Sequence, residues 1–148
     1  MTGSVRAFFA LRFRAARRIR QVLDELESMG RPVKPVAASG LHVTLKFLGE
    51  TQTRDLPMLQ RALRSAVCGQ SAFDVALRGV GAFPKVERPA VVWLGLSEDG
   101  SNSAPSVESL ANQFEHSLTA LGVPAETRAF HPHLTLARIR GRPSRSLL

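Results

Sequence analysis

The sequence predicts an α+β fold, with helices set among strands that need not run parallel. Two observations predict it. Apolar and β-branched runs recur at residues 5–13, 41–49, 73–83, 90–96 and 129–139. Between them, three stretches carry apolar residues at helical spacing. With 148 residues and no linker-like composition, the chain reads as one domain, 1–148.

Each element has its own signal. VRAFFALRF at residues 5–13 reads as a strand. The spacing of Ala15, Ile19, Val22, Leu23, Leu26 and Met29 predicts a helix over 14–29, stopped by Gly30. Residues 31–40 read as a Pro-containing connection. LHVTLKFLG (41–49) is a second strand, and Leu56, Leu59, Leu63, Ala66 and Val67 line a second helix. Residues 73–83 and 90–96 read as strands joined by a Pro-Lys-Val-Glu-Arg-Pro loop. Pro105 suits the first turn of a third helix. Its buried stripe is Val107, Leu110, Ala111, Phe114, Leu118 and Leu121, and Gly122 ends it. A last strand runs from Ala129 to Ile139.

Composition excludes several classes. No apolar run is long enough to span a membrane, and Phe8-Phe9-Ala10-Leu11 is too short for a signal peptide. The lone Cys68 rules out an internal disulfide and a cysteine-based zinc site, and points to a reducing, cytoplasmic location. Lys and Arg total 20 against 12 acidic residues, and all but three of the 20 are Arg. The guanidinium fork matches phosphate oxygens, so the +8 charge favours a nucleic-acid or phosphate ligand without specifying one.

One internal echo carries chemistry. His42-Val43-Thr44-Leu45 returns as His133-Leu134-Thr135-Leu136. Strand alternation puts His42, Thr44 and Lys46 on one face, with Val43, Leu45 and Phe47 on the core face. In the second copy His131, His133 and Thr135 share a face. A histidine and a hydroxyl placed twice on open strand faces suggest two facing lobes. Such a pocket suits metal-independent phosphodiester cleavage. One neutral imidazole takes a proton, one protonated imidazole gives one to the leaving oxygen, and two hydroxyls hold the non-bridging oxygens.

The chain resembles the bacterial and archaeal RNA 2′,3′-cyclic phosphodiesterases, also named 2′-5′ RNA ligases, of the 2H phosphoesterase superfamily. The resemblance runs from Arg6 to about Arg138. It rests on RAFFAL, LHVTLKFLGE, GVGAFP followed by VVWLGL, and FHPHLTLAR, in that order. It implies a bilobal fold of two pseudo-symmetric antiparallel sheets flanked by helices around a central cleft. It implies that His133 activates water, His42 protonates the leaving O3′, and Thr44 and Thr135 bind the phosphate. The product is then a 2′-phosphomonoester, and the reverse 2′-5′ ligation needs no further residue. Arg138 matches the family's arginine after the second motif, although strict alternation puts it on the other face from His133. Family members continue past the second motif with further strand. Here the basic stretch from Gly141 to Leu148 has no strand pattern, so the domain reads as short at its C-terminus.

Other residues take second place. Lys46, Phe83 and His131 are candidate substrate-binding residues, by phosphate attraction, base stacking and position at the pocket rim, and so at second rank is Arg138, which reaches the pocket only if the strand ends or bulges there. His131 and His133 lack a third ligand, so no metal or cofactor is expected. Trp93 reads as core, Cys68 as a small buried hydrophobe and His116 as solvent-exposed. Arg12, Arg14, Arg17, Arg18 and Arg20 read as a solvated helix face. The expected partner is RNA with a 2′,3′-cyclic phosphate end, or a small cyclic nucleotide, bound by a monomer away from membranes. The competing reading is a non-catalytic RNA-end-binding module, which has no need of two imidazoles in opposite protonation states.

Overall fold

The computed structural model describes residues 3–101 and 103–141. The basic tail of the sequence reading therefore lies, from 142 onward, outside the described residues. In chain order the elements are β1 (Ser4–Arg12), α1 (Arg17–Ser28), β2 (Val33–Pro35), β3 (His42–Gln52), α2 (Leu56–Val67), β4 (Ala76–Lys85), β5 (Arg88–Ser97), α3 (Pro105–Thr119) and β6 (His133–Ile139). No described helix is long and apolar enough to cross a membrane.

The strands form two antiparallel sheets, β1-β3 and β2-β6-β5-β4. β3 and β6, the strands carrying the two His-x-Thr copies, touch each other across the lobes. Helix α1 packs on β2 and β6, α3 packs on β3, and α2 covers α3. One apolar cluster joins both lobes. It includes Phe9, Val43 and Leu45 from the first sheet, Leu134 and Leu136 from the second, and Phe114 and Leu118 of α3. Phe9 and Phe114 meet with ring centroids 5.9 Å apart, pinning β1 to α3.

The structure departs from the sequence reading in several places. Leu121, read on the buried stripe of the third helix, is exposed past the end of α3, and the last strand begins at His133 rather than Ala129. β2 lies inside the predicted connection. Three residues containing a proline give no periodic signal, yet Val33 and Pro35 pair with Ile139 and Ala137 at the sheet edge, where proline is tolerated. The expected loop between the fourth and fifth strands is only a turn at Val86 and Glu87, because both strands run further than their apolar cores. On α1 only Ile19, Leu23 and Leu26 are buried, while Val22 and Met29 face solvent. Cys68 is exposed rather than buried, since it follows the last turn of α2 in extended backbone.

Candidate active site

The two histidines are held in the same way. His42 Nδ1 lies 2.7 Å from the carbonyl oxygen of Gly40, and His133 Nδ1 lies 2.7 Å from that of His131. A carbonyl only accepts, so each Nδ1 carries the proton and each Nε2 is left for chemistry. In both cases the carbonyl belongs to the residue two positions earlier, just before the strand. Gly40 ends a single 3-10 turn and Pro132 precedes His133, so both approaches enter the strand from non-strand backbone.

Thr44 and Thr135 sit two residues on, half-buried on the same strand faces as His42 and His133. Val43 and Leu134, between them, are fully buried. This alternation is the one the sequence predicts.

Beyond the threonines both strands break step. In the β1-β3 pairing, Thr44 faces Ala10 and Lys46 faces Phe9, which leaves Leu45 as an extra residue. In the β5-β6 pairing, Thr135 faces Trp93 and Ala137 faces Val92, which leaves Leu136 extra. A β-bulge at the same place in both copies turns two successive side chains inward and reverses the alternation after them.

Two expectations are corrected by these bulges, and a third residue, Arg138, is repositioned by one. Lys46 is only 5% exposed and points away from the His42 face; it pairs with Glu115 of α3, so it does not line the substrate face. Phe47, expected in the core, is 65% exposed. Arg138, which strict alternation puts opposite His133, is returned by the bulge to the exposed face that His133 and Thr135 occupy.

Aromatic rings flank both imidazoles. Phe8 lies 5.0 Å from His42 and 6.2 Å from Phe47. Phe83 meets His133 edge-on at 5.0 Å, and Trp93 lies 4.9 Å from His131 and 6.1 Å from His133. Phe83 thus stands beside the catalytic candidate, and His131 is exposed at the rim with its carbonyl holding His133. Trp93 is a correction: it is half-buried and belongs to the site wall rather than the core. Gly81 of the GVGAFP segment faces it across the β4-β5 pairing, and a Cβ on Gly81 would overlap the indole ring. Phe8, Phe47 and Trp93 are the site residues that the sequence reading missed. The available signal was that Phe8 alternates with the core residue Phe9, and that Gly81 leaves space for a large ring.

The surroundings of His133 favour its neutral form. Burial pushes the His133 pKa below its ordinary 6.5, and the positive charges of His131, Arg138 and His42 push it the same way; the hydrogen bond to the His131 carbonyl opposes them but is outweighed. His133 is therefore neutral near neutral pH. The strands that carry His42 and His133, β3 and β6, are in contact with one another. Among the described residues no group of three or more histidine, cysteine or carboxylate side chains gathers as a metal site.

The model of the LigT like Phosphoesterase family matches residues 13–93 and 100–147. The chain belongs to the LigT-like phosphoesterase family. It is 36% identical over 124 residues to an RNA 2′,3′-cyclic phosphodiesterase of Aeropyrum pernix, covering 84% of this chain and 67% of that protein. It is 32% identical over 146 residues to the protein of that name from Methanothermobacter thermautotrophicus, covering 97% and 76%. Among solved structures it is similar to TT0787 of Thermus thermophilus, with TM-score 0.74 and 29% identity over 95% of this chain and 78% of that one. E. coli LigT complexed with 3′-AMP matches with TM-score 0.63 and 28% identity over 92% and 74%. The LigT-like fold of two lobes is thus present, although this chain spans two thirds to four fifths of the length of these relatives.

Proposed function

We propose that the chain hydrolyses 2′,3′-cyclic phosphodiester ends of RNA to 2′-phosphomonoesters, with His133 as general base and His42 as general acid. The observation that carries the reading is the paired Nδ1–H to carbonyl hydrogen bond. It leaves two Nε2 atoms of one geometry on two touching strands, and burial at His133 favours the neutral imidazole that a base needs. The relatives' shared name supports the substrate class.

The step follows from these roles. Neutral His133 accepts a proton at Nε2 from water as the water oxygen bonds to phosphorus. The bond from phosphorus to O3′ breaks, and protonated His42 gives its Nε2 proton to O3′. Both imidazoles end in the opposite protonation state and exchange protons with solvent. Thr44, Thr135 and Arg138 bind the non-bridging oxygens, whose charge grows in the transition state. Phe8, Phe47, Phe83 and Trp93 offer π faces to a base beside the phosphate. With a 5′-hydroxyl in place of water as the nucleophile, the same step would join a cyclic phosphate end to it through a 2′-5′ linkage, O3′ again leaving with the proton from His42.

The test is incubation with a 2′,3′-cyclic nucleotide in EDTA, followed by identification of the product isomer. The 2′-phosphate is expected. A 3′-phosphate product would reverse the two histidine roles, and turnover that required a divalent ion would overturn the metal-free mechanism.

A further inference from the structure

Lys46 and Glu115 stand outside the constellation above, yet they touch it through the backbone. Lys46 Nζ donates to Glu115 Oε1 at 3.1 Å, lies 2.9 Å from Oε2, and donates to the carbonyl of Pro124 at 3.0 Å. Glu115 Oε1 also accepts from the amide of Glu126 at 2.6 Å. The Glu126 carboxylate in turn accepts from the amides of Thr127 and Arg128, both at 3.1 Å. These bonds tie β3, α3 and the segment after α3 into one unit. That segment has no helix or strand of its own between Thr119 and His133, and it delivers the His131 carbonyl that holds the His133 ring.

The charge at Lys46 is not shared by the two copies of the frame. The matching place after the second bulge is Ala137, fully buried and apolar. A buried ion pair is weak support for stability, because desolvation offsets much of the attraction. What the pair does do is join the strand of one histidine to the backbone that orients the other.

We propose that Lys46 and Glu115 are positioning residues for the histidine pair, fixing the backbone from Pro124 to His131 against β3 so that His133 Nε2 and His42 Nε2 address one phosphate. The proposal rests on the phosphodiesterase reading above and adds two residues to it. Lys46 acts through backbone and not by touching substrate.

The experiment compares wild type with the charge-free pair K46M/E115L and with E115Q, which keeps an acceptor for Lys46 and for the Glu126 amide. Turnover of a 2′,3′-cyclic nucleotide, thermal melting and the ¹⁵N spectrum of the His133 imidazole are measured on each. The double variant is expected to fold and to lose about 10- to 100-fold in kcat with little change in KM, because a small misplacement of an acid–base group acts on the chemical step. E115Q should lose less. His133, locked with its proton on Nδ1 in wild type, should become a mixture of tautomers in the double variant. Unchanged kcat and an unchanged tautomer in a folded double variant would overturn the proposal. So would a double variant that does not fold, since the pair would then be a requirement of the fold. A wild type without turnover would overturn the phosphodiesterase reading alone, because the tautomer comparison needs no substrate.

Discussion

Adding one methyl group at Gly81 should damage the site from the wall inward. A Cβ at Gly81 would overlap three carbons of the Trp93 indole, a rigid ring with no flexible end to move aside. The indole is also confined on its other sides, 5.2 Å from Phe83 and 4.9 Å from His131. Any displacement therefore presses on the groups around His133. Overpacking of this kind costs about 1–3 kcal/mol. For a chain of this size each kcal/mol lowers the melting temperature by about 2–4 °C. Gly81→Ala should thus melt about 2–12 °C below wild type and turn over more slowly. Combining it with Trp93→Leu, which removes the ring, should recover much of the lost stability, so that the two changes are not additive. Thermal melts of the four proteins and initial rates on a cyclic nucleotide are the assays. If Gly81→Ala melted and turned over like wild type, the indole would not be held as described, and the explanation of the GVGAFP segment would fall.

Four other outcomes are expected. His42→Ala and His133→Ala should each cost about 10²–10⁴-fold in kcat/KM, and the double variant far less than the product of the two, as steady-state kinetics of all three would report. The acidic limb of the kcat/KM profile should have its midpoint below 6.5, and Arg138→Gln should move it upward by removing a nearby positive charge; a shift downward would contradict the assignment. Stability should also fall on acidification. His133, with its folded pKa lowered below 6.5, contributes fully above pH 6.5 and loses that contribution as pH falls through the folded value. Glu115 follows below pH 4.5: burial raises its pKa, but hydrogen bonds from Lys46 and the Glu126 amide, with the Lys46 charge, outweigh burial and hold it lower. Finally, Leu134→Ala, which empties a fully buried position between His133 and Thr135, should cost about 2–5 kcal/mol in urea unfolding.

The sequence made the helices, the long strands and the two His-x-Thr copies readable because each rests on a local rule. Val43 and Leu134 are buried, and the histidines and threonines beside them face the other way, because two-residue alternation holds as far as Thr44 and Thr135. Lys46, Phe47 and Arg138 could not be placed by that rule. A bulge is a property of two paired strands, and one strand's sequence does not announce it. Trp93 was misplaced for a related reason. Its run of apolar neighbours reads as core, whereas its exposure depends on β4, where Gly81 makes room for the ring. β2 was lost because three residues, one of them proline, owe their strand geometry entirely to β6.

The two bulges also bear on the two different jobs proposed for the duplicated frame. Up to the threonine the copies are alike: imidazole tied to a carbonyl, buried aliphatic, hydroxyl. After the bulge they diverge. The first inward position is leucine in both, at Leu45 and Leu136, but the second is Lys46 in one and Ala137 in the other. The next outward position is Phe47 in one copy, set against the Phe8 ring that lies 5.0 Å from His42, and Arg138 in the other, whose charge acts on His133. The first lobe thus places an apolar ring near its histidine and sends its cation inward to Glu115. The second keeps its cation outside, where the charge disfavours the imidazolium of His133. A general base must be neutral before it can accept a proton, and a general acid must be charged before it can give one. For His133, the proposed base, the outward Arg138 acts in that sense, because its charge favours the neutral imidazole.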